Sequence, residues 1–290
     1  MIRLFKTMII KTYYMLTKPG IIAGNAVTTF GGFMLASKGP FNFWLFCWTL
    51  IGLSLVIASA CVFNNYMDRE IDKKMARTKN RALVRGLVSE KSALIYGTLL
   101  GLLGMGVLAL YANFLTAMIA LAGFLFYVVV YGLWKYRSSY GTVIGSLAGG
   151  VPPVVGYCAV SNQLDLGAFL LFTIMVLWQM PHFFAITLYR LEDYAAASIP
   201  VLPLEKGIYT TKIQMWLYIM AFIVATVMLT FMGYTGYAYL TVAVLMGLMW
   251  YVLCLKGFKS DNDKQWARQM FLFSIVVIMV ECFMMAIDRV

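Results

Sequence analysis

Residues 42–72 read NFWLFCWTLIGLSLVIASACVFNNYMDREID, and the two parts of this stretch decide the fold. Residues 42–63 carry no charge. A run of that length matches the roughly 20 apolar residues that cross the roughly 30 Å hydrocarbon core of a bilayer. Directly behind it comes Asn64-Asn65-Tyr66-Met67-Asp68-Arg69-Glu70-Ile71-Asp72, the first dense polar cluster in the chain. Asn64, Asp68 and Asp72 recur at every fourth position, so on a helix each lies about 40° round and about 6 Å along from the last. They form one acidic stripe at what is expected to be an exposed helix end.

The rest of the chain has the same character. With 62% hydrophobic and only 12% charged residues, and a mean hydropathy of +0.82, a soluble domain is excluded. Charge-free runs at 20–37, 42–63, 92–111, 114–134, 139–160, 166–189, 213–232, 235–255 and 269–287 predict nine transmembrane helices. The chain is therefore read as an all-α polytopic membrane bundle, one domain over residues 1–290. The runs 92–134 and 213–255 are too long for one span and are split into hairpins at Tyr111-Ala112-Asn113 and Gly233-Tyr234-Thr235-Gly236.

Of the 23 Lys and Arg, all but Lys38 and Arg289 fall before the first span or after an even-numbered one. The positive-inside rule places the N-terminus in the cytoplasm and the C-terminus outside; a bacterial-type inner membrane is the expected location. The net charge of +11 then reports topology and contact with anionic lipid, not nucleic acid. Met1 to Lys18 leads straight into a full span, so no cleavable signal is expected. The five cysteines lie in predicted spans without CxxC spacing and are read as buried apolar fillers.

A lone DxxxD motif is more often a solvated helix end than a site. Here the basic residues Lys73, Lys74, Arg77, Lys79, Arg81 and Arg85 follow within one loop, and the stripe ends a membrane span. Carboxylates so placed suit Mg²⁺, which takes oxygen ligands and is commonly held by one or two carboxylates together with substrate phosphates. The cations are donors for the far side of a diphosphate. Thr17-Lys18-Pro19-Gly20 reads as a cap and early proline opening the first span. Asn25 is expected to bond a neighbouring helix, with substrate contact as the alternative. After span four, Lys135 and Arg137 reach the same surface, either snorkelling or binding phosphate. Gly141, Gly145 and Gly149 form a small-residue packing face. Pro200 and Pro203, in the loop after span six, predict a stiff non-helical turn.

His182, the sole histidine, lies in Trp178-Gln179-Met180-Pro181-His182-Phe183, about 12 Å of helix rise from the loop at Arg190. An ionisable group within a span is a functional candidate by default. The loop beyond it holds Arg190, Glu192, Asp193 and Tyr194, and Glu192 and Asp193 could supply a second metal. The halves 14–134 and 135–255 also correspond: Gly20 falls on Gly141, Gly24 on Gly145, Arg69 on Arg190, Asp72 on Asp193, Gly86 on Gly207 and Lys135 on Lys256. Two four-span copies sharing one orientation are expected, with helix 269–287 as an addition. Asn64 and Asp68 fall on Ala185 and Tyr189, so only the first copy keeps the whole stripe.

The stripe with Arg77-Thr78-x-x-Arg81 and the second acidic loop resembles the UbiA-type intramembrane prenyltransferases. Thr17-Lys18-Pro19, Cys61-Val62-Phe63-Asn64-Asn65, Pro152-Pro153-x-x-Gly156-Tyr157, Trp178 to Phe183 and Asp193-Tyr194 with Ile199-Pro200-Val201-Leu202-Pro203 are similar to the heme O synthase branch of that family. Two departures stand out: Tyr136 splits the expected Lys-Arg pair after span four, and Ala82 stands where many members have proline.

The resemblance implies farnesyl diphosphate as donor, protoheme as acceptor, and a downstream pathway that supplies heme to an oxidase. It assigns Asn64, Asp68, Asp72 and Tyr131 to catalysis and Mg²⁺ to Asp68, Asp72, Glu192 and Asp193. Lys73, Arg77, Arg81, Lys135, Arg137 and Arg190 would hold the diphosphate, and His182 the heme. Tyr127 and Tyr131 would shield an allylic cation. A quinone-pathway prenyltransferase would share the stripe without needing an iron ligand. A secondary transporter would share repeats and midplane polar groups without needing such clustered carboxylates and cations.

Overall fold

The computed structural model describes residues 2–290, with side chains described from Ile9 onward. Its elements are helical: α1 (Ile2–Leu16), α2 (Pro19–Ala36), α3 (Phe43–Asp72), α4 (Glu90–Tyr111), α5 (Phe114–Trp134), α6 (Gly141–Ser161), α7 (Leu166–Tyr189), α8 (Leu191–Ala196), α9 (Leu202–Glu205), α10 (Ile208–Phe231), α11 (Tyr237–Lys256) and α12 (Asp263–Ile287). Among the described residues nine of these are long and apolar enough to cross a membrane. Exposed Leu102, Leu110, Phe169 and Val224 cover the outer faces of α4, α7 and α10. Such a surface suits lipid, since a monomer in water rarely carries apolar patches on this scale. The chain is an integral, multi-pass membrane protein.

The neighbour order follows from short connections. Helix α3 packs along α4, α4 against α5, α7 along α10, and α10 against α11. The largest core lies among α6, α7, α10, α11 and α12, with smaller clusters on the α3–α5 side. Helices α2 and α6 cross with their backbones in contact: a Cβ on Gly32 would stand 2.0 Å from Pro153 O, and one on Gly156 2.1 Å from Thr29 O. Only glycine fits at this crossing, where dispersion between backbones replaces the hydrophobic effect that lipid removes. Helix α12 completes the bundle against α2, α7 and α11.

Both predicted hairpin breaks are present. Asn113 accepts from Thr116 N at 2.8 Å, starting α5, and its amide donates to Cys158 O and Ala159 O at the end of α6. Gly233, at φ 77°, turns the chain between α10 and α11. All five cysteines are free, four of them buried.

Several local expectations are corrected. Residues Ile2–Leu16 form a helix of their own before the first span. Thr17 does not cap α2; its hydroxyl donates back to Tyr14 O at 2.7 Å, and Lys18 takes the cap position at φ 52°, ψ 66° without a side-chain bond to the helix. Asn25 bonds Ile21 O of its own helix at 2.8 Å, not a neighbour. The proline turn after α7 is not wholly non-helical, because Pro203 lies in the first turn of the short helix Leu202–Glu205; Leu191–Ala196 forms another short helix before it.

Candidate active site

The acidic stripe stays on one continuous helix, since α3 runs past the apolar segment to Asp72. Carboxylates in the last turns of a helix oppose its dipole, so cations from elsewhere must hold them. Three different segments supply donors. Lys18, from the α1–α2 turn, donates to Asn64 Oδ1 at 2.5 Å, while Asn65 donates to Leu16 O at 2.8 Å and fastens the same turn. Lys135 and the Tyr136 hydroxyl, beyond the end of α5, both donate to Asp68 Oδ1. Arg81, from the loop after α3, donates to Asp72 Oδ2 at 2.6 Å, and Thr78 Oγ1 donates to Asp72 O at 3.0 Å.

The expected exposed helix end is therefore wrong. Asp72 is only 4% exposed and Lys135 8%, because the loop and the α5–α6 turn close over the helix terminus. Burial pushes the Lys18 ammonium down to about 8, with the Arg81 charge adding to it. Burial also lowers Lys135, opposed by the Asp68 charge. The Tyr136 phenol is raised, first by burial and then by Asp68, so it stays protonated and donates.

Each carboxylate keeps one oxygen, Asp68 Oδ2 and Asp72 Oδ1, without a hydrogen-bond partner among the described residues. Two hard oxygen donors four residues apart on one helix fit Mg²⁺, which takes its remaining ligands from water and phosphate.

The far wall is α5, whose last turns widen into a π-helix over Phe126–Tyr131. Such bulges concentrate at functional sites because they re-aim side chains. Tyr127 and Tyr131 stack at 5.3 Å, and the Lys135 ammonium sits 5.4 Å from the Tyr131 ring centre. The glycine face of α6 is a packing face: Gly149 meets Gln179 of α7, and Gly141 and Gly145 meet this wall. A Cβ on Gly141 would lie 2.8 Å from Lys135 Cα, and one on Gly145 3.0 Å from the Tyr131 ring. A side chain at either position would push Lys135 or Tyr131 off its place beside Asp68.

The other predicted residues fall elsewhere. Lys73 pairs with Glu70 on the surface at 2.7 Å and is not drawn to the stripe. Arg137 is exposed beyond it. Arg77, Arg190, Glu192 and Asp193 line a cavity of about 370 Å³ with Tyr189 and Lys264. Glu192 pairs with Lys264 at 3.0 Å, and the Arg190 guanidinium lies 4.5 Å over the Tyr189 ring. Among the described residues no three His, Cys, Asp or Glu side chains gather at one point, so the four carboxylates do not form a single cluster. Glu192 and Asp193 belong to the second loop, whereas Asp68 and Asp72 lie on α3.

His182 is half-buried in α7, one turn after Trp178. Trp178 stacks on its imidazole at 4.6 Å and 25°, and Phe271 of α12 approaches at 5.1 Å. Its Nδ1 lies 2.7 Å from Ser274 Oγ of α12.

Residues 25–276 match the model of the UbiA prenyltransferase family. The chain belongs to the UbiA prenyltransferase family. It is 57% identical to the protoheme IX farnesyltransferase of Protochlamydia amoebophila (strain UWE25), over 93% of this chain and 96% of that one. Among solved structures its fold is similar to digeranylgeranylglyceryl phosphate synthase, with a TM-score of 0.79 at 18% identity over 96% of this chain and 97% of that one. It is also similar to a UbiA homologue from Archaeoglobus fulgidus bound to GPP and Mg²⁺, with a TM-score of 0.69 at 12% identity over 95% and 99%.

In this UbiA-family prenyltransferase three residues that spacing alone did not single out bond to candidate site residues. Lys18 sits in a motif read as a helix start and as part of the family resemblance, with no site role assigned to it. Tyr136 looked like an interruption and is a second donor to Asp68. Ser274 lies in the helix outside the two proposed copies. The Tyr136 assignment is testable, because a hydrogen bond to a charged group contributes about 1.5–3 kcal/mol. Tyr136→Phe is expected to lose that much, read as a lower unfolding midpoint in detergent; a midpoint equal to wild type would show that the phenol leaves Asp68 unsupported.

Proposed function

We propose that the enzyme transfers the farnesyl group of farnesyl diphosphate to a vinyl group of protoheme, giving a hydroxyethylfarnesyl side chain. What carries this reading is the 57% identity, over nearly the whole of both chains, to a protoheme IX farnesyltransferase. The site supports it chemically. The allylic C–O bond breaks and the electron pair leaves with the diphosphate; the vinyl carbon attacks the allylic cation, and water adds to the porphyrin-stabilised cation with loss of a proton.

Asp68 Oδ2 and Asp72 Oδ1 would hold Mg²⁺, which offsets the charge of the departing diphosphate. Lys18, Arg81 and Lys135 ring the stripe and share that charge, which matters most when it develops in a water-poor site. Arg77 and Arg190, on the neighbouring cavity, would take the outer phosphate. Tyr127 and Tyr131 present aromatic faces that stabilise a cation and exclude water. Tyr131 and Asn64 thereby keep the roles the resemblance implies, while Lys73 and Arg137 are left to the surface. His182 would grip the iron.

The halves 14–134 and 135–255 are proposed as copies. Supporting this, α3–α4–α5 and α7–α10–α11 repeat the same neighbour order, and α12 stands outside both. The basic ends of the bundle are proposed to face the cytoplasm.

Incubating purified enzyme with protoheme, farnesyl diphosphate and Mg²⁺ should yield extracted heme heavier by one farnesyl group and one hydroxyl group. Unchanged heme alongside prenylation of an added hydroxybenzoate would overturn the assignment in favour of a quinone-precursor ring.

A further inference from the structure

We infer that Ser274 is a positioning residue: it locks His182 as the Nδ1–H tautomer, leaving Nε2 bare to ligate iron. The inference rests on the proposed heme role of His182 only for its purpose; the tautomer itself follows from geometry.

A hydroxyl group carries one proton. Ser274 Oγ stands 2.6 Å from Phe271 O, a carbonyl that only accepts, so the hydroxyl proton is committed there. At 2.6 Å two oxygens without a hydrogen between them would repel. The same Oγ lies 2.7 Å from His182 Nδ1, and with its proton already used it can only accept. The proton in that second bond must therefore belong to Nδ1. A neutral imidazole has one N–H, so Nε2 carries the lone pair, the form in which histidine binds a metal.

Three further contacts keep the arrangement from relaxing. Trp178 Nε1 donates to Ser274 O at 2.8 Å, holding the α12 backbone in place. The Trp178 ring lies nearly parallel to the imidazole, and Phe271 closes from α12. Turning the ring over in its own plane would put Cδ2 in place of Nδ1 and break the Ser274 bond, while tilting it out of that plane would break the Trp178 stack. Metal-ligating histidines commonly gain orientation and basicity from a partner on the second nitrogen, and losing such a partner typically costs about 10–100-fold in metal affinity. Helix α12, outside the two proposed copies, would thus carry the group that readies the iron ligand.

The chain has one histidine, so selective ¹⁵N-histidine labelling, with a purification tag free of histidine, reads this ring alone. The wild-type protein without heme should show Nδ1 protonated and Nε2 bare. Ser274→Ala should release the tautomer towards Nε2–H and weaken protoheme binding by about 10-fold or more. Ser274→Thr, which keeps the hydroxyl, should preserve both. A wild-type ring protonated at Nε2, or a Ser274→Ala protein with wild-type tautomer and affinity, overturns the inference. If the tautomer is as described but His182→Ala binds protoheme as wild type does, the heme role fails and the Ser274 lock stands.

Discussion

Asp72→Asn and Asp68→Asn are each expected to slow farnesyl transfer by about 1,000-fold or more, equivalent to about 4 kcal/mol of transition-state stabilisation. Asparagine is the informative replacement because both carboxylates are buried partners of cations. Asp72 meets Arg81 at 2.6 Å with a side chain 5% exposed, and Asp68 meets Lys135 with one 15% exposed. Alanine at Asp68 would strand the buried Lys135, at about 3–5 kcal/mol, and at Asp72 would leave Arg81 unpaired, so lost folding would be confused with lost chemistry. An amide keeps the volume and accepts from the same donors, but withdraws the charge that would hold Mg²⁺. Single-turnover product formation against Mg²⁺ concentration, with the unfolding midpoint as control, separates the two. Wild-type turnover by both variants would remove the metal from these residues.

The stripe was readable because its members share one helix, where fixed geometry converts spacing into a common face. Its partners were not readable in the same way. Lys18, Arg81 and Lys135 come from three connections between helices, and nothing in local spacing says which cation meets which oxygen. From sequence, Lys73 and Arg81 are equivalent members of one basic loop. In the structure Lys73 is one turn from Glu70 and pairs there, whereas Arg81 folds back to Asp72. Exposure failed for the same reason: hydropathy shows where a span ends, but not that residues 73–89 and the α5–α6 turn then cover it.

The fold was more legible. Lipid demands uninterrupted helices, so a charge-free run marks a span, and the two hairpin breaks carry their own turn chemistry at Asn113 and Gly233. Helix α1 escaped because its charges interrupt the pattern that marks a span. The second acidic loop shows the same limit: sequence places Glu192 beside Asp193, but not that Lys264, from the far end of the chain, pairs with Glu192 at the surface.

His182→Ala is expected to weaken protoheme binding by at least about 100-fold, the upper end of what losing a ligand's supporting hydrogen bond costs. The heme absorption spectrum should shift with it, since the iron loses an axial nitrogen. Farnesyl diphosphate affinity should stay near the wild-type value, because the stripe draws its donors from Lys18, Arg81, Lys135 and Tyr136, none of which touches α12. A planar acceptor must be held against rotation if one vinyl group is to meet the allylic carbon, and gripping the metal does this with one residue. Removing the ring also leaves Ser274 Oγ without its donor and Trp178 without its stack, so added imidazole is a needed control. If the defect is the lost ligand, free imidazole entering the space should restore the spectrum. Spectrum and affinity unchanged from wild type would return His182 to packing beside Pro181. Lost activity with an unaltered spectrum would move the imidazole from the iron to the last step, delivering water to the cation after the new C–C bond has formed.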